Sequence, residues 1–441
     1  MQFTKLEDAF QRLFGTWAAD AVEECQVIVR QRCFDAQSLI ATFVLGLLAK
    51  PSASDKDLAQ TAARLGVPVS PQAIRNRISE RFANSLEALF RKVVTCLVGT
   101  PQALAPLLQR FTAVTLLDST TLSLPPGQRD RYPGCGGREI DHGAAALKLQ
   151  TELDLRSGAI MHLQIEPGKS PDVASSRQFA PCSAGSLRIA DLGYFRLDAL
   201  ALISRARAYF LSRVQVDTKL FTNDGSEIDL AWLGQQCVGL LDVPVEMGVH
   251  DRIPCRLIAF RVPEEQANRR KQKLRHNSLR KRHREPNAET LRLCEWTLLV
   301  TNAPKDLMSA SEAIILYRSR WQVELLFKRW KSIGRIHVLD GRTEQETMVR
   351  LWSRLIGAVL QHWLVMRSVW LSGPTHSLYQ AALLIRDIAV DLIHAVQAPA
   401  QLPKILCAFQ HLIRHRRRTR RKKPGTFELL NDPSRLDYRL T

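Results

Sequence analysis

Long apolar runs are missing from this sequence. The longest, Leu39 to Ala49, is about half of the roughly 20 residues a membrane-spanning helix needs, so a spanning segment is excluded and a buried helix is expected instead. A basic-then-apolar leader is missing too. The chain starts MQFTKLEDAF, acidic and aromatic, so no export signal is read and the protein is expected to stay in the cytoplasm. The nine cysteines are scattered without a Cys-x-x-Cys pair, which argues against a disulfide framework or a zinc site and predicts reduced, mostly buried thiols. Acidic residues are in short supply: 43 Asp and Glu face 62 Lys and Arg, a formal charge of +19 over 441 residues. That excess is the footprint of a polyanionic partner, with nucleic acid ahead of an anionic membrane surface.

What is present folds. Hydrophobic residues make up 45% of the chain and charged residues 24%, which excludes wholesale disorder, and the length outgrows a single core. The first hundred residues read as helical, with apolar periodicity over Phe10 to Val29 and Leu39 to Leu48. Within them residues 57–82 form a candidate helix-turn-helix. A short helix ends near Leu65, Gly66 permits a turn, and Ser70-Pro71 caps a second helix expected to run to Phe82. Gln72, Arg75, Asn76 and Ser79 share a face of that helix, able to reach bases or phosphates; an ordinary helical hairpin with a solvated polar face has the same pattern.

From Ala113 the pattern turns to strands. Ala113 to Leu117 is a short β-branched run ending at Asp118, and Leu147 to Leu155 alternates before an Arg156-Ser157-Gly158 turn into Ile160 to Ile165, an antiparallel hairpin. Leu187 to Ala190 is an apolar strand stopping at Asp191, followed by a helix at Leu197 to Arg207 and a strand at Tyr209 to Val214. This order predicts an α/β mixed sheet with helices packed on it. Between Val214 and Pro304 the β-rich pieces Val245 to His250, Cys255 to Val262 and Trp296 to Thr301 surround a basic stretch, Arg269 to Arg284, and look like an inserted domain. With no acidic residue, that stretch is expected to stay extended or to become helical only on a polyanion. A second basic run, Arg414 to Lys423, follows helices expected at Val349 to Leu371 and Leu378 to Val396. Such runs are usually solvated tails or loops, but two in one chain point to phosphate contact.

Ser311 to Ile333 reads as one largely buried helix. At about 100° per residue, Tyr317, Arg320, Glu324 and Lys331 fall within roughly 60° of one another as a polar stripe. Glu324 could pair with Arg320 or Lys328 along the helix. Likewise Asp118 could close an Asx turn, and Asp191 could simply end a strand. The alternative takes the three together: two aspartates at strand ends and a glutamate on a packed helix can converge as the hard oxygen ligands that metal-assisted phosphoryl transfer needs.

Here the sequence resembles the DDE transposases of bacterial insertion sequences, specifically the insertion sequence four family. The family signature Tyr-x2-Arg-x3-Glu-x6-Lys is matched by Tyr317, Arg320, Glu324 and Lys331. The two aspartate motifs are matched by Asp118-Ser119-Thr120 and Asp191-Leu192-Gly193-Tyr194. The resemblance implies a ribonuclease H-like core interrupted by a β-rich insertion domain, with helical N- and C-terminal regions. On that reading residues 1–108 are a helical DNA-binding region, 109–214 and 305–372 the two parts of the core, 215–304 the insertion and 373–441 a helical C-terminal region. It implies Asp118, Asp191 and Glu324 as ligands of Mg²⁺ or Mn²⁺, bound as two ions, and Arg320 and Lys331 as phosphate contacts beside Tyr317. Trp296 is similar to the family tryptophan that stacks on a flipped base; a core tryptophan on a strand is the other reading. The implied partners are double-stranded DNA, as terminal inverted repeats and target, and a second copy of the chain. A DNA-binding regulator without catalysis and a ribonuclease H-like junction nuclease share parts of this pattern.

Overall fold

A computed structural model of the chain describes residues 4–30, 33–100, 105–135, 145–215, 217–236, 239–369, 377–414 and 424–437. The chain divides into two units: Met1–Leu104 with Ser119–Ser170 and Gln322–Arg420, and Ala105–Asp118 with Pro171–Trp321 and Arg421–Thr441.

In the first unit the apolar run becomes the helix Ala36–Ala49, buried from Ser38 through Leu48 and started by a reciprocal cap between Asp35 and Ser38. Being apolar all round, it needs neighbours on every side. It packs against Glu344–Val369 and Leu378–Gln397, the helices expected near the C-terminus. Two buried arginines staple the former helix to the chain after Ala49: Arg350 donates to the Ala53 carbonyl at 2.9 Å and Arg354 to the Pro51 carbonyl at 3.0 Å. Part of the cationic excess is therefore structural.

The candidate helix-turn-helix forms as Asp55–Arg64, a turn with Gly66 at φ +76°, and a helix capped by Ser70. The second helix is only Pro71–Arg75 and does not run to Phe82. Arg77 and Ile78 make tight bonds back to Ile74 and Arg75, and Ser79 accepts from Phe82 N to cap a new helix, Glu80–Val93. A serine hydroxyl available as a cap competes with helix continuation.

Three strands belong wholly or partly to this unit: β1 (Val114–Leu124), β2 (Ala145–Asp154) and β3 (Ile160–Pro167), ordered β3-β2-β1. The expected hairpin is present, with Thr151 opposite Leu163. Both faces of β2 are buried, its polar one included. Lys148 donates to the Ser170 carbonyl, and Asp154 accepts from the Ser157 amide and hydroxyl.

His362 on Glu344–Val369 is buried, with Nε2 2.8 Å from the Gly158 carbonyl. Burial, reinforced by the Arg329 charge, pushes its imidazole down to about 3 from 6.5. Between those values the unfolded chain binds a proton that the folded chain refuses, so stability is lost as pH falls across that window. The slope is at most about 1.4 kcal/mol per pH unit. Denaturation midpoints measured from pH 6.5 to pH 4 should therefore fall more steeply for the native chain than for His362→Gln; parallel slopes would clear His362 of any part in acid sensitivity.

In the second unit the first half of β1 is followed by β4 (Leu187–Ala190), β5 (Tyr209–Arg213), β6 (Leu220–Phe221), β7 (Leu240–Met247), β8 (Ile253–Arg261) and β9 (Trp296–Thr301). Their spatial order is β1-β4-β5-β9-β8-β7-β6. β1, β4 and β5 are parallel, with the helix Leu197–Arg205 linking the last two; the remaining pairings are antiparallel. Residues 215–304 thus extend the sheet through β9 onto β5. A core of Phe195, Leu200, Phe210, Met247, Leu257, Trp296 and Val300 lies on one face.

The basic stretch expected to be extended is instead the helix Glu264–Arg282. Glu264 and Glu265 occupy its first turn, where the helix dipole favours them, and Lys271 pairs with Glu295 at 2.7 Å. These interactions offset the repulsion within the run. Past its first residue the second basic run lies outside the described residues. Among the described residues no helix is long and apolar enough to cross a membrane. Of the described cysteines, expected to be mostly buried, only Cys255 is fully buried. Cys33, Cys135 and Cys407 are exposed, so burial does not account for them.

Candidate active site

Asp118 does not end its strand. β1 continues through Ser119 to Leu124, whose threonines suit extended backbone. What ends is the partner: Leu117 pairs with Ala190, and β4 stops there. Continuing that parallel register by one residue sets Asp118 opposite Asp191, one strand spacing or about 5 Å apart. Lying within a strand, Asp118 does not close an Asx turn. Asp191 precedes a short 3₁₀ turn, Leu192–Tyr194, whose cap is made by its carbonyl and not its carboxylate. Neither carboxylate serves the turn chemistry that offered the simpler explanation.

Both face Arg320. Its Nη1 is 3.3 Å from Asp118 Oδ2 and its Nε 3.7 Å from Asp191 Oδ1. The arginine and Asp118 are largely buried, while Asp191 remains about half exposed at 47%. This guanidinium reaches a sequence-distant pair of carboxylates. Tyr317 lies beside them. Burial, with the Asp191 charge, pushes its phenol up to about 12, so it stays protonated as a neutral donor.

The segment expected to be one helix is two, Ala310–Ser319 and Trp321–Ser332. At Arg320 the amide turns back to the Tyr317 carbonyl at 3.1 Å, three residues earlier, and the Ser319 hydroxyl donates to the Leu316 carbonyl at 2.6 Å. That tighter turn interrupts the ladder, so the stripe is divided between two helices. Glu324 and Lys331 sit two turns apart on one face of the second. Lys331 Nζ donates to the Thr121 carbonyl of β1 at 3.4 Å, and burial lowers its pKa. Among the described residues no three His, Cys, Asp or Glu side chains are gathered closely enough to hold a metal. Asp118 and Asp191 supply the hard oxygen donors that a divalent cation takes, with Arg320 as the present counter-charge.

The other expected contacts are placed as follows. Trp296 is 4% exposed within the sheet core, and the Arg261 guanidinium covers its ring at 4.9 Å, so a base could stack on that face only if Arg261 moved. Its edge borders a cleft of about 380 Å³ lined also by Leu192, Arg213 and Lys219. Arg75 is held by Asp55 at 3.0 Å, and Gln72 by Asn76 at 3.0 Å. Arg213, at the end of β5, is a residue that sequence reasoning misses. Its charge acts on Tyr317 and Arg270, and a lone arginine ending a strand carries no motif that would flag it.

Asp118 and Asp191, both in contact with Arg320, stand on neighbouring parallel strands of a mixed sheet, and comparison with known proteins gives the family. Residues 109–360 match the family described as Transposase DDE domain, more than half of the chain, and the chain belongs to that family. It is similar to the transposase for insertion sequence element IS231E of Bacillus thuringiensis subsp. finitimus, at 25% identity across 96% of this chain and 94% of that protein. The transposase for IS1151 of Clostridium perfringens is 26% identical over 70% of each chain. The putative transposase InsL for IS186A of Escherichia coli (strain K12) is 28% identical over 56% of this chain and 64% of its own. The family resemblance read from the motifs is therefore borne out, and with it DNA as the partner.

Proposed function

We propose that this chain moves an insertion sequence by cut-and-paste transposition, with Asp118, Asp191 and Glu324 as its catalytic carboxylates. The observation that carries the reading is the contact of one guanidinium, Arg320, with both Asp118 and Asp191. The parallel strands β1, β4 and β5 and, in the other unit, the antiparallel hairpin of β2 and β3 support a ribonuclease H-like core. On this reading residues 109–214 and 305–372 form that core, 215–304 the insertion, 1–108 a DNA-binding region and 373–441 a C-terminal region.

Asp118, Asp191 and Glu324 would hold Mg²⁺ or Mn²⁺, as two ions, which supply charge stabilisation to the attacking and leaving oxygens. Arg320 leaves the aspartates for a phosphate of the transposon end, with Lys331 gripping a second and Tyr317 donating beside them. Water attacks the phosphorus at each end, the P–O3′ bond breaks, and the transposon strand keeps the 3′ hydroxyl. That hydroxyl attacks the opposite strand and forms a hairpin, expelling the flanking DNA. A second water opens the hairpin, and the regenerated 3′ hydroxyl joins target DNA. Trp296 receives a flipped base once Arg261 withdraws, Gln72, Arg75 and Asn76 contact DNA from the N-terminal region, and a homodimer holds the two ends, acting on cytoplasmic nucleoid DNA.

Glu324→Gln tests the assignment. The variant should bind terminal inverted repeats as the native chain does yet lose Mg²⁺-dependent cleavage at them; undiminished cleavage removes Glu324 from the site. Native protein that cuts branched DNA while ignoring matched ends would be a junction nuclease instead.

A further inference from the structure

The helix Glu264–Arg282 carries the first of the two basic runs that point to phosphate, and the carboxylate site does not include it. One of its faces is mounted on the sheet. Ala267 is 3% exposed, Arg270 donates to the Trp296 carbonyl at 3.0 Å and to the Thr297 hydroxyl, and Lys271 pairs with Glu295. These contacts fall on the side that carries Leu274 and Ser278, which are half-buried.

The opposite side is different. Arg269, Lys273, His276 and Arg280 follow one another at intervals of four, three and four residues, so at about 100° per residue they lie within roughly 60° as a single stripe. All four are exposed, Arg269 with 76% of its side chain in solvent. No acidic residue follows Glu265 in the helix, and among the described residues neither Lys273 nor Arg280 forms an ion pair. Arg269 has only its solvent-exposed neighbour Glu265, an interaction that contributes little.

We infer that this stripe is a preformed track for the phosphate backbone of double-stranded DNA, outside the cleavage site and indifferent to base sequence. The inference rests on the DNA partner of the reading above. It is carried by complementarity of charge and of spacing. Four cationic or protonatable side chains spread over about 16 Å of helix at steps of about 4.5 to 6 Å, and the same length of DNA helix axis carries about five phosphates on each strand. Because the mount holds the helix without DNA, no disordered arm has to be ordered on binding. An RNA partner is less favoured, since the stripe is straight and carries no Phe, Tyr or Trp for unstacked bases.

The test is the double substitution Lys273→Ala and Arg280→Ala in the full chain. Both side chains are exposed and alanine favours helix, so the thermal midpoint should not move. Affinity for duplex DNA is measured from 50 to 200 mM KCl, with a terminal repeat and with an unrelated sequence. The slope of log K against log salt should flatten by about 2, near 0.9 for each phosphate no longer neutralised, equally for both sequences. An unchanged slope overturns the inference, as does a loss confined to the terminal repeat, or a loss of single-stranded RNA binding with duplex DNA binding intact. If the slope is unchanged while Glu324→Gln still abolishes cleavage, the track fails and the transposase reading stands. If the slope flattens but the native chain cuts no ends, the reverse holds.

Discussion

Asp118→Asn and Asp191→Asn should each lower metal-dependent cleavage of transposon ends by about three orders of magnitude while leaving the fold's thermal midpoint unchanged or slightly raised. The first half follows from what a carboxylate supplies. A metal held by converging carboxylates stabilises phosphoryl-transfer charge by several kcal/mol, and at about 1.4 kcal/mol per tenfold, losing about 4 kcal/mol costs about a thousandfold. Asparagine keeps shape and one acceptor oxygen but not the charge. The second half follows from the metal-free geometry. Two carboxylates share the Arg320 guanidinium, at 3.3 and 3.7 Å, so the trio carries a net negative charge. Removing one carboxylate leaves a matched pair. An active site that stores repulsion for its cation gains stability when the site is disarmed. Cleavage of a terminal-repeat duplex in Mg²⁺, beside a thermal melt in EDTA, measures both. Unfolding of either variant in EDTA would mean that the aspartates are structural, and cleavage within tenfold of native would place the metal elsewhere.

Some of this can be read along the chain and some cannot, for physical reasons. β4 and β9 run as expected, at Leu187–Ala190 and Trp296–Thr301, because short β-branched apolar runs with turn residues on either side allow little else. The aspartates are legible as motifs. That Asp118 lies inside a strand is not, because Ser119 to Leu124 is too polar to be recognised as strand until its partner is known. Reading the basic segment as extended weighs mutual repulsion and misses that Lys, Arg, Gln and Leu are good helix formers and that Glu295, 24 residues away in sequence from Lys271, anchors the mount. Helical periodicity runs through Arg320 because no glycine or proline marks the break. The pairing of Arg320 with Asp118 spans 202 residues, beyond any rule of neighbours along a helix.

Arg320→Ala should separate two properties expected to fall together in an ordinary active-site variant: divalent-metal affinity of the DNA-free protein rises about tenfold, and end cleavage at saturating metal falls by about 10² to 10³. The guanidinium occupies the same carboxylates a metal requires. A unit-charge pair at about 4 Å interacts by about 4 kcal/mol at an effective dielectric of 20. Asp191 is half exposed, and the 3.7 Å contact is longer than a hydrogen bond, so screening discounts that figure to about 1 to 2 kcal/mol, or about five- to thirtyfold in affinity. With DNA bound the balance reverses. The arginine freed by the metal is a rigid fork suited to a phosphate, and losing such a charge-assisted contact at the reacting end costs about 2.7 to 4 kcal/mol. Lysine at the same position should restore part of the charge but not the fork, leaving cleavage between the two. Mn²⁺ titration by calorimetry without DNA, paired with single-turnover cleavage, reads both arms. Weaker Mn²⁺ binding by Arg320→Ala would mean that the guanidinium orders the aspartates for metal instead of competing for them, and the exchange of arginine from carboxylate to phosphate would have to be abandoned.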